Sequence, residues 1–332
     1  MRFGPVRVAD ALGCVLAHAV PLAKGRLRKG TRVGPEEIAQ LLAEGHETLT
    51  MARLDPGDMA EDDAAAALAA ALVAEGGGLQ LSMAATGRVN IRATLAGIVA
   101  LDVPALHAFN GVNPMITVAS LPPWTRVDPG TMVATVKVIS YAVPGADVDR
   151  AMALGGGAIG QRLPRYKTAT LIETDLDQHK PMKGRAALAV RLDRLGVALT
   201  APVHVPHDAA RVAEAVAKAP GEVVFILTAS ATSDAADVGP AGLVQAGGRL
   251  IQFGMPVDPG NLLFLGCLGD KPVIGLPGCA RSPALNGADW VLERVICGLD
   301  LTPADFAAMG VGGLLKEIPS RPKPRGDIDE SL

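Results

Sequence analysis

Apolar and polar positions follow two different patterns along the chain. In the first half, helical spacing predicts helices over Val6–His18, Pro35–Glu44 and Asp58–Glu75. β-Branched runs bounded by Gly, Pro and Asn predict strands at 47–53, 79–85, 89–99, 115–120 and 132–143. The first half is therefore expected to be α+β, with β-rich segments.

The second half alternates strand and helix from Tyr166 onward. Strands are predicted at 168–173, 197–204, 222–227, 249–253, 262–267 and 272–274, and helices at 185–195, 209–219, 240–246 and 283–297. This alternation is typical of a mostly parallel sheet with helices on both faces. The fold class predicted for this half is therefore α/β, with a doubly wound, mostly parallel sheet.

A glycine-rich stretch over Leu154–Pro164 separates the two patterns. We expect an N-terminal region at 1–160, an α/β domain at 161–300, and a C-terminal extension with a mobile tail at 301–332. Gly155, Gly157 and Gly160 satisfy GxGxxG, but a helical pattern precedes them where a dinucleotide fold needs a strand. A linker or tight turn is therefore favoured over a cofactor loop.

Composition narrows the function classes. Apolar residues make up 49% of the chain and aromatic residues 3%, which indicates a folded protein with an aliphatic core. The net charge of −3 gives no broad positive surface for nucleic acid or an anionic membrane. With no signal-peptide pattern, the cytoplasm is the expected location. The four cysteines show neither CxxC pairing nor histidines at zinc spacing.

Ligands of doubly wound sheets bind beyond the carboxyl ends of the strands. That rule selects three loops, at 174–184, 228–239 and 275–283. The first gathers charges of both signs, and Lys183 and Arg185 at the start of a helix would favour an anionic partner. The charged and hydroxyl residues of this loop are Thr174, Asp175, Asp177, His179, Lys180, Lys183 and Arg185. A solvated surface loop is the alternative.

The second loop, TASATSDAADVG, is rich in hydroxyl groups. Thr228, Ser230, Thr232 and Ser233 could hold a phosphate before a helix opened by Pro240. Asp234 and Asp237, if helical, would share one face at spacing i, i+3, which makes them candidate Mg²⁺ ligands. Ordinary helix capping by these residues is the alternative.

The third loop, GLPGCARSP, is a candidate phosphate-binding site. Ser282 is predicted to cap the last helix, with Pro283 at its first position and Arg281 beside the free N–H groups. A capped helix with a solvated arginine is the alternative. Cys279 has no nearby histidine and is expected to be a packed side chain rather than a nucleophile.

Several segments resemble the molybdopterin-binding family of MogA-like (MoaB/Mog) proteins and MoeA-like molybdenum transferases. KPVIGLPGCARSP is similar to the family's KPVxGLPGNPVS, VVFILTASATSDAADV to its strand and Ser/Thr–Asp loop, and LIETD to its TGDE. GGRLIQFGMPVDPGNLL occupies the place of its pterin-proximal turn. In the first half, FGPVRVADALGCVLAHAV, KGTRVGPEEIAQLLAEG and MVATVKVI resemble the N-terminal part of fusions with a nucleotidyltransferase domain.

This resemblance implies a MogA-like domain that binds molybdopterin, with Mg²⁺ and molybdate as further ligands. The implied binding residues are Thr174, Asp175, Thr228, Ser230, Thr232, Ser233, Asp234, Pro277, Gly278, Arg281 and Ser282. The implied catalytic candidates are Asp175, Asp234 and Asp237. It also implies a homodimer whose site is completed by a neighbouring chain, with a molybdopterin nucleotidyltransferase or an apo-molybdoenzyme as partner.

Departures from the family pattern separate binding from catalysis. Thr228 and Ala229 replace a Gly-Gly pair, and Cys279, Ala280 and Arg281 replace Asn, Pro and a small residue. These changes favour a protein that holds the pterin or its metallated form for a partner enzyme. A MoeA-like enzyme that inserts molybdenum and a ligand-free scaffold remain the alternatives. The nucleotidyltransferase glycine loop AAGxSxRMG does not occur in the chain, so pterin cytidylation or guanylation is not expected.

Overall fold

A computed structural model describes residues 1–176 and 184–315. The chain divides into two compact units between Arg162 and Leu163. We call them unit 1 and unit 2, and each is described by itself. In the described ranges, no helix is long and apolar enough to cross a membrane.

Unit 1 contains short strands arranged in several small sheets. Its strands are β1 (Arg2–Arg7), β2 (Val15–Leu16), β3 (Val20–Pro21), β4 (Arg26–Leu27), β5 (Thr48–Arg53), β6 (Asp58–Ala60), β7 (Leu79–Leu81), β8 (Arg88–Ala93), β9 (Gly97–Leu101), β10 (Ile116–Ser120), β11 (Arg126–Val127), β12 (Met132–Val138), β13 (Ala142–Pro144) and β14 (Ile159–Arg162). The largest sheet is antiparallel, in the order β10-β12-β8-β7. The α+β character expected of this half is therefore confirmed.

Four helices accompany these strands. They are α1 (Pro35–Ala43), α2 (Glu61–Leu72), α3 (Val103–Asn110) and α4 (Gly145–Gly155). Pro35 is the first residue of α1, and the Glu37 carboxylate accepts the Gly34 N–H at 2.9 Å, which caps its start. The alanine-rich α2 packs against β8 and β12 over a core that includes Leu68, Ile91 and Val136. The α1 and α2 helices were predicted from periodicity.

The helix predicted over Val6–His18 is wrong. Residues 2–7 form β1, which pairs antiparallel with β5 from Arg2↔Arg53 to Arg7↔Thr48, and a short 3-10 turn follows at Val8–Asp10. Val8, Cys14 and Leu16 are buried in a small core with Leu41 and Met51. Pairing with a strand more than 40 residues away therefore overrides a local apolar pattern that also fits a helix.

Unit 2 is built on one seven-stranded sheet. Its strands are β15 (Thr168–Asp175), β16 (Ala198–Leu199), β17 (Val203–Pro206), β18 (Val223–Leu227), β19 (Arg249–Phe253), β20 (Phe264–Leu268) and β21 (Lys271–Gly275). The order is β16-β15-β18-β21-β20-β19, and β17 also pairs with β15. The pairings among β15, β16, β17, β18 and β21 are parallel, whereas β20 is antiparallel to both its neighbours. The sheet is therefore mostly parallel, as expected.

The helices of unit 2 lie between these strands in sequence. They are α5 (Gly184–Asp193), α6 (Ala209–Lys218), α7 (Val238–Gln245), α8 (Gly287–Ile296) and α9 (Pro303–Ala308). On one face of the sheet, Val212 and Val216 of α6 and Leu243 of α7 share a buried core with Ile172 and Ile226. The expectation of helices on both faces stays a prediction.

Three of the differences between unit 2 and the sequence prediction have a clear local cause. The strand expected at 197–204 is two strands, because Pro202 lies in the break and lacks an N–H for the ladder. Helix α7 begins at Val238, capped by Asp237, rather than at Pro240. Helix α8 begins at Gly287 rather than Pro283, because Asn286 and Asp289 form its capping box.

Candidate functional site

The carboxyl ends of three adjacent parallel strands define the candidate site in unit 2. Strand β18 lies between β15 and β21, with Glu173 opposite Leu227 and Ile226 opposite Gly275. The loops that follow these strands therefore emerge at the same edge of the sheet. The predicted convergence of the loops at Thr174, Thr228 and Gly275 is confirmed.

A histidine that the sequence analysis did not select connects two of these loops. The Nδ1 atom of His207 lies 2.8 Å from the Thr174 hydroxyl, and its Nε2 atom lies 3.1 Å from the Ser230 hydroxyl. Thr174 is buried, His207 is half-buried and Ser230 is exposed. The three side chains form a chain of hydrogen bonds from the sheet edge to the surface.

The direction of this chain of hydrogen bonds depends on which ring nitrogen of His207 carries the proton. The Thr174 oxygen accepts the Ala229 N–H at 2.8 Å, and in the tautomer with the proton on Nε2 the Thr174 hydroxyl donates to His207 Nδ1. In that tautomer, Nε2–H donates to Ser230. The proton of the Ser230 hydroxyl is then available to a ligand.

Two other predicted binding residues shape the loop instead of facing outward. Thr228 and Thr232 are both buried, and their hydroxyl oxygens lie 3.0 Å apart. The Thr228 hydroxyl donates to the Ser230 carbonyl at 2.7 Å, so the proton between the two threonines comes from Thr232. Both protons are used within the loop, which fixes the position of Ser230.

The expectation that Asp234 and Asp237 share a helical face is wrong. Both residues precede α7 and bind backbone N–H groups. Asp237 accepts from Val238 at 2.7 Å and from Ser233 at 3.0 Å, and Asp234 accepts from Ala236 at 2.7 Å. One oxygen of Asp234 and both oxygens of Asp237 therefore accept backbone N–H groups in the turn and the helix cap.

The third loop contributes Arg281, but not in the way its sequence suggests. Gly278–Arg281 forms a 3-10 turn preceded by Pro277, and Arg281 Nη2 donates to the Thr228 carbonyl at 2.6 Å. Arg281 is therefore a bridge between two loops and not a solvated side chain. Ser282 is exposed and lies before Asn286, the true cap of α8, so the expectation that Ser282 caps this helix is wrong.

Arg191 holds this third loop in place through hydrogen bonds to its backbone carbonyl groups. It is 7% exposed and donates to the carbonyls of Ala280 at 3.0 Å, Ser282 at 2.8 Å and Ala284 at 3.0 Å. Its charge is paired with Asp289 at 2.6 Å. Fixing the carbonyls of three alternate residues in this way gives the loop a single backbone shape.

A buried carboxyl group lies beneath the site. Glu173 lies two residues before the end of β15 and is 3% exposed. Burial raises the pKa of its carboxyl group, and the nearby charges of His204, Arg281 and Arg185 lower it. Arg185 donates to the Thr200 carbonyl at 2.5 Å, and its Nη1 atom is buried without a hydrogen-bond partner among the described residues. The edge therefore combines hydroxyl groups, guanidinium groups and a carboxyl group that resists ionisation.

The remaining predicted residues are placed as follows. Asp175 is half-buried, and its backbone carbonyl accepts the backbone N–H of His207 at 2.9 Å. Burial raises the pKa of the Cys279 thiol, which agrees with a packed side chain rather than a nucleophile. Asp177, His179, Lys180 and Lys183 lie outside the described residues. Where side chains are described, no group of three or more His, Cys, Asp or Glu is arranged to hold a metal ion.

Unit 2 is therefore an α/β protein with a polar, cation-bearing edge at the carboxyl ends of its parallel strands. Such an edge suits an anionic ligand that accepts hydrogen bonds from Ser230 and from the guanidinium groups. Residues 5–53 match the model of a family described as a domain of unknown function (DUF8806). No curated protein matches the chain.

Two solved structures show a distant likeness. One is a molybdopterin biosynthesis MoeA protein from Pyrococcus horikosii, with 15% identity and a TM-score of 0.32, covering 89% of this chain and 75% of that one. The other is a molybdenum cofactor biosynthesis protein from Pyrococcus furiosus, with 12% identity and a TM-score of 0.25, covering 92% of this chain and 65% of that one. Likeness of this extent does not establish a shared function.

Proposed function

We propose that this protein is a cytoplasmic carrier of molybdopterin, which it binds at the carboxyl edge of the unit 2 sheet and holds for a partner enzyme. The observation that carries the proposal is the hydrogen-bonded chain Thr174–His207–Ser230, which ends at an exposed hydroxyl on the edge where Arg281 also lies. The loops that supply Thr174, Ser230 and Arg281 are the ones whose sequences resemble the molybdopterin-binding family.

The chemistry of molybdopterin matches the groups available. Its terminal phosphate accepts hydrogen bonds, for which the Ser230 hydroxyl and the free nitrogens of Arg281 are donors. The protonated form of Glu173 can donate a hydrogen bond where an ionised carboxylate would repel the phosphate, and burial favours that form. Mg²⁺ and molybdate would enter with the bound pterin rather than occupy a preformed protein site.

Binding to pure molybdopterin tests the proposal directly. The full-length protein is titrated under anaerobic conditions, and the dissociation constant is measured by calorimetry. Ser230→Ala is expected to weaken binding about threefold to tenfold, the value of one neutral hydrogen bond. Ser82→Ala, which removes an exposed serine of unit 1, is the matched control. The absence of saturable binding to the wild-type protein would refute the proposal and leave the scaffold alternative.

The Arg281→Ala variant provides a second, independent test of molybdopterin binding. Loss of a charge-assisted hydrogen bond is expected to weaken pterin binding about tenfold or more. Because Arg281 also donates to the Thr228 carbonyl, the free energy of unfolding should fall by about 1 kcal/mol. Arg211→Ala, which removes an exposed arginine paired with Glu214, is the control for general charge effects. An unchanged dissociation constant would remove Arg281 from the site.

Reconstitution of an apo-molybdoenzyme separates carrier from enzyme. The protein is mixed with molybdopterin, with and without molybdate and Mg²⁺, and the activity of the reconstituted molybdoenzyme is assayed. A carrier protects and delivers the pterin in proportion to its own concentration. Catalytic turnover of molybdate insertion would instead support the MoeA-like transferase.

The proposal includes a homodimer whose second chain completes the site. Light scattering of the full-length protein at micromolar concentration is expected to give twice the chain mass of 34.0 kDa. A mass equal to one chain, both with and without molybdopterin, would remove the dimer from the proposal without affecting the binding test.

A further inference from the structure

A separate cavity in unit 1 gathers ionisable side chains that the proposed function does not use. Its volume is about 510 Å³, and its lining includes Phe3, Lys29, Glu61, Lys137, Ile139 and Tyr141. These residues come from β1, the segment after β4, the start of α2, the end of β12 and the segment between β12 and β13. The tertiary fold therefore brings together residues that are distant in sequence.

Two lysines, Lys29 and Lys137, line this cavity. Lys137 donates to the carbonyl of Thr86, a residue with a positive φ of 51°, and this hydrogen bond holds the lysine at the cavity. The Lys29 ammonium lies 5.9 Å from the centre of the Tyr141 ring. Neither lysine forms an ion pair within the part of the chain that the structure describes. Both charges are therefore available to an anion.

The single carboxyl side chain of the lining only partly offsets these cations. Glu61 is half-buried at the start of α2, and burial raises its pKa, against which Lys137 and Lys29 act. The Glu61 carboxylate packs closely against Gly87. A Cβ atom added to Gly87 would lie 2.9 Å from the Oε2 atom of Glu61. The side chains lining the cavity thus carry two ammonium groups and one carboxyl group, so the lysines outnumber the carboxyl group two to one.

The chain around Lys29 strengthens this positive potential. Residues 24–32 contain Lys24, Arg26, Arg28, Lys29 and Arg32 and no acidic residue, although the chain as a whole has a net charge of −3. All five side chains are exposed. A local concentration of one sign of charge beside a cavity attracts ligands of the opposite sign.

The cavity also has an apolar wall. Phe3 is 58% exposed and Ile139 is 56% exposed, which is high for side chains of this type, and the Tyr141 ring lies beside them. The Tyr141 hydroxyl donates to the Ala17 carbonyl at 3.0 Å, which fixes the ring. An inorganic ion would leave this wall uncovered, whereas an organic anion would cover it.

We propose that this cavity binds a small organic anion, whose phosphate or carboxylate lies between Lys29 and Lys137 and whose apolar part packs against Phe3, Ile139 and Tyr141. Every residue that supports this site belongs to unit 1. The proposal is therefore independent of molybdopterin binding at unit 2.

Phenyl phosphate, benzoate and inorganic phosphate are the probes, titrated into the full-length protein by calorimetry at constant ionic strength. Phenyl phosphate or benzoate is expected to bind more tightly than inorganic phosphate, and the tighter of the two identifies the acidic group. Lys29→Met should weaken that binding about tenfold, the equivalent of a charge-assisted contact. Lys218→Met, which removes an exposed lysine of unit 2, should leave it within about twofold. Equal losses in both variants, or no saturable binding of any probe, would overturn the proposal.

Two further variants test the sign of the ligand's charge. Glu61→Gln removes the one carboxyl group of the lining and is expected to tighten binding of the organic anion, since repulsion is lost. Lys137→Met is expected to weaken it, and thermal melting of the same sample separates lost binding from lost folding. Weaker anion binding by a folded Glu61→Gln variant would show that the cavity selects a cation and would overturn the proposal.

Discussion

Arg191 of α5 and Asp289 of α8 form a buried ion pair, with Nε 2.6 Å from Oδ1 and side chains 7% and 12% exposed. The second oxygen of Asp289 accepts the Asn286 N–H at 2.8 Å, so the same carboxylate caps α8. Arg191 also binds the carbonyls of the loop at 275–283. One pair of side chains therefore fixes the start of a helix and one wall of the candidate site.

Removing Arg191 should be costly. Arg191→Met is expected to lower the free energy of unfolding by about 3 to 5 kcal/mol, because Asp289 would stay buried without its counter-charge. Urea denaturation of the full-length protein measures the change. Arg211→Met, which breaks the exposed pair with Glu214, should cost less than about 1 kcal/mol. Equal, small losses in both variants would show that Arg191 does not organise the loop.

Thr174 should stabilise the site through its hydroxyl group alone. Thr174→Val keeps the shape of the side chain but leaves the Ala229 N–H and His207 Nδ1 without this partner, at an expected cost of about 1 to 3 kcal/mol. Thr174→Ser keeps the hydroxyl and should retain most of the stability and the molybdopterin affinity. If Val and Ser variants unfold at the same urea concentration, the hydrogen-bonded chain is not an element of the fold.

Asp234 and Asp237 should respond differently to substitution. Asp237 accepts two backbone N–H groups and caps α7, so Asp237→Ala should cost about 1 to 2 kcal/mol in thermal or urea unfolding. Asp234→Asn keeps an oxygen for the Ala236 N–H and should leave stability unchanged. If Asp234 binds Mg²⁺ with the pterin, Mg²⁺-dependent affinity should fall about tenfold in this variant. A drop in melting temperature with unchanged affinity would make Asp234 structural.

Glu173 should make stability depend on pH in a direction opposite to that of an ion-paired carboxylate. Burial raises its pKa in the folded state above the ordinary value of 4.5, so the folded protein binds more protons than the unfolded chain between the two pKa values. The free energy of unfolding should therefore fall as pH rises from 4.5 through the folded pKa.

Glu173→Gln is the variant that isolates this contribution. Glutamine does not ionise, so the difference in stability between wild type and variant should shift in favour of the variant as pH rises through that window. Urea denaturation at several pH values measures it, and taking the difference removes the contribution of Glu61, whose pKa is also raised by burial. A difference that does not change with pH would show that Glu173 is not desolvated.

Much of the secondary structure follows from local sequence. Pro35 at the first turn of α1, the alanine-rich run of α2 and the apolar strand Val223–Leu227 each carry their own signal. These elements satisfy their backbone hydrogen bonds locally, or are buried so completely that their composition reveals them. The three loops of the candidate site could be selected for the same reason, since strand direction alone places them at one edge.

The first strand and the start of helix α8 could not be located in this way. The pattern at Val6–His18 fits a helix locally, and only pairing with β5 decides that its beginning is a strand. Ser282 followed by Pro283 carries the signature of a helix start, yet α8 begins at Gly287. The decisive group there is Asp289, which Arg191 holds from 98 positions away.

By itself, the sequence determined most of the strands of unit 2 and the loops that follow them, because periodicity and turn residues act over a few positions. It also determined the hydroxyl groups of the second loop. Only the tertiary structure decided which of those groups face outward. His207 forms hydrogen bonds with Thr174, 33 positions away, and with the exposed Ser230, whereas Thr228 and Thr232 bind each other and are buried. Burial and long-range hydrogen bonding determine these roles, and neither leaves a trace in local residue spacing.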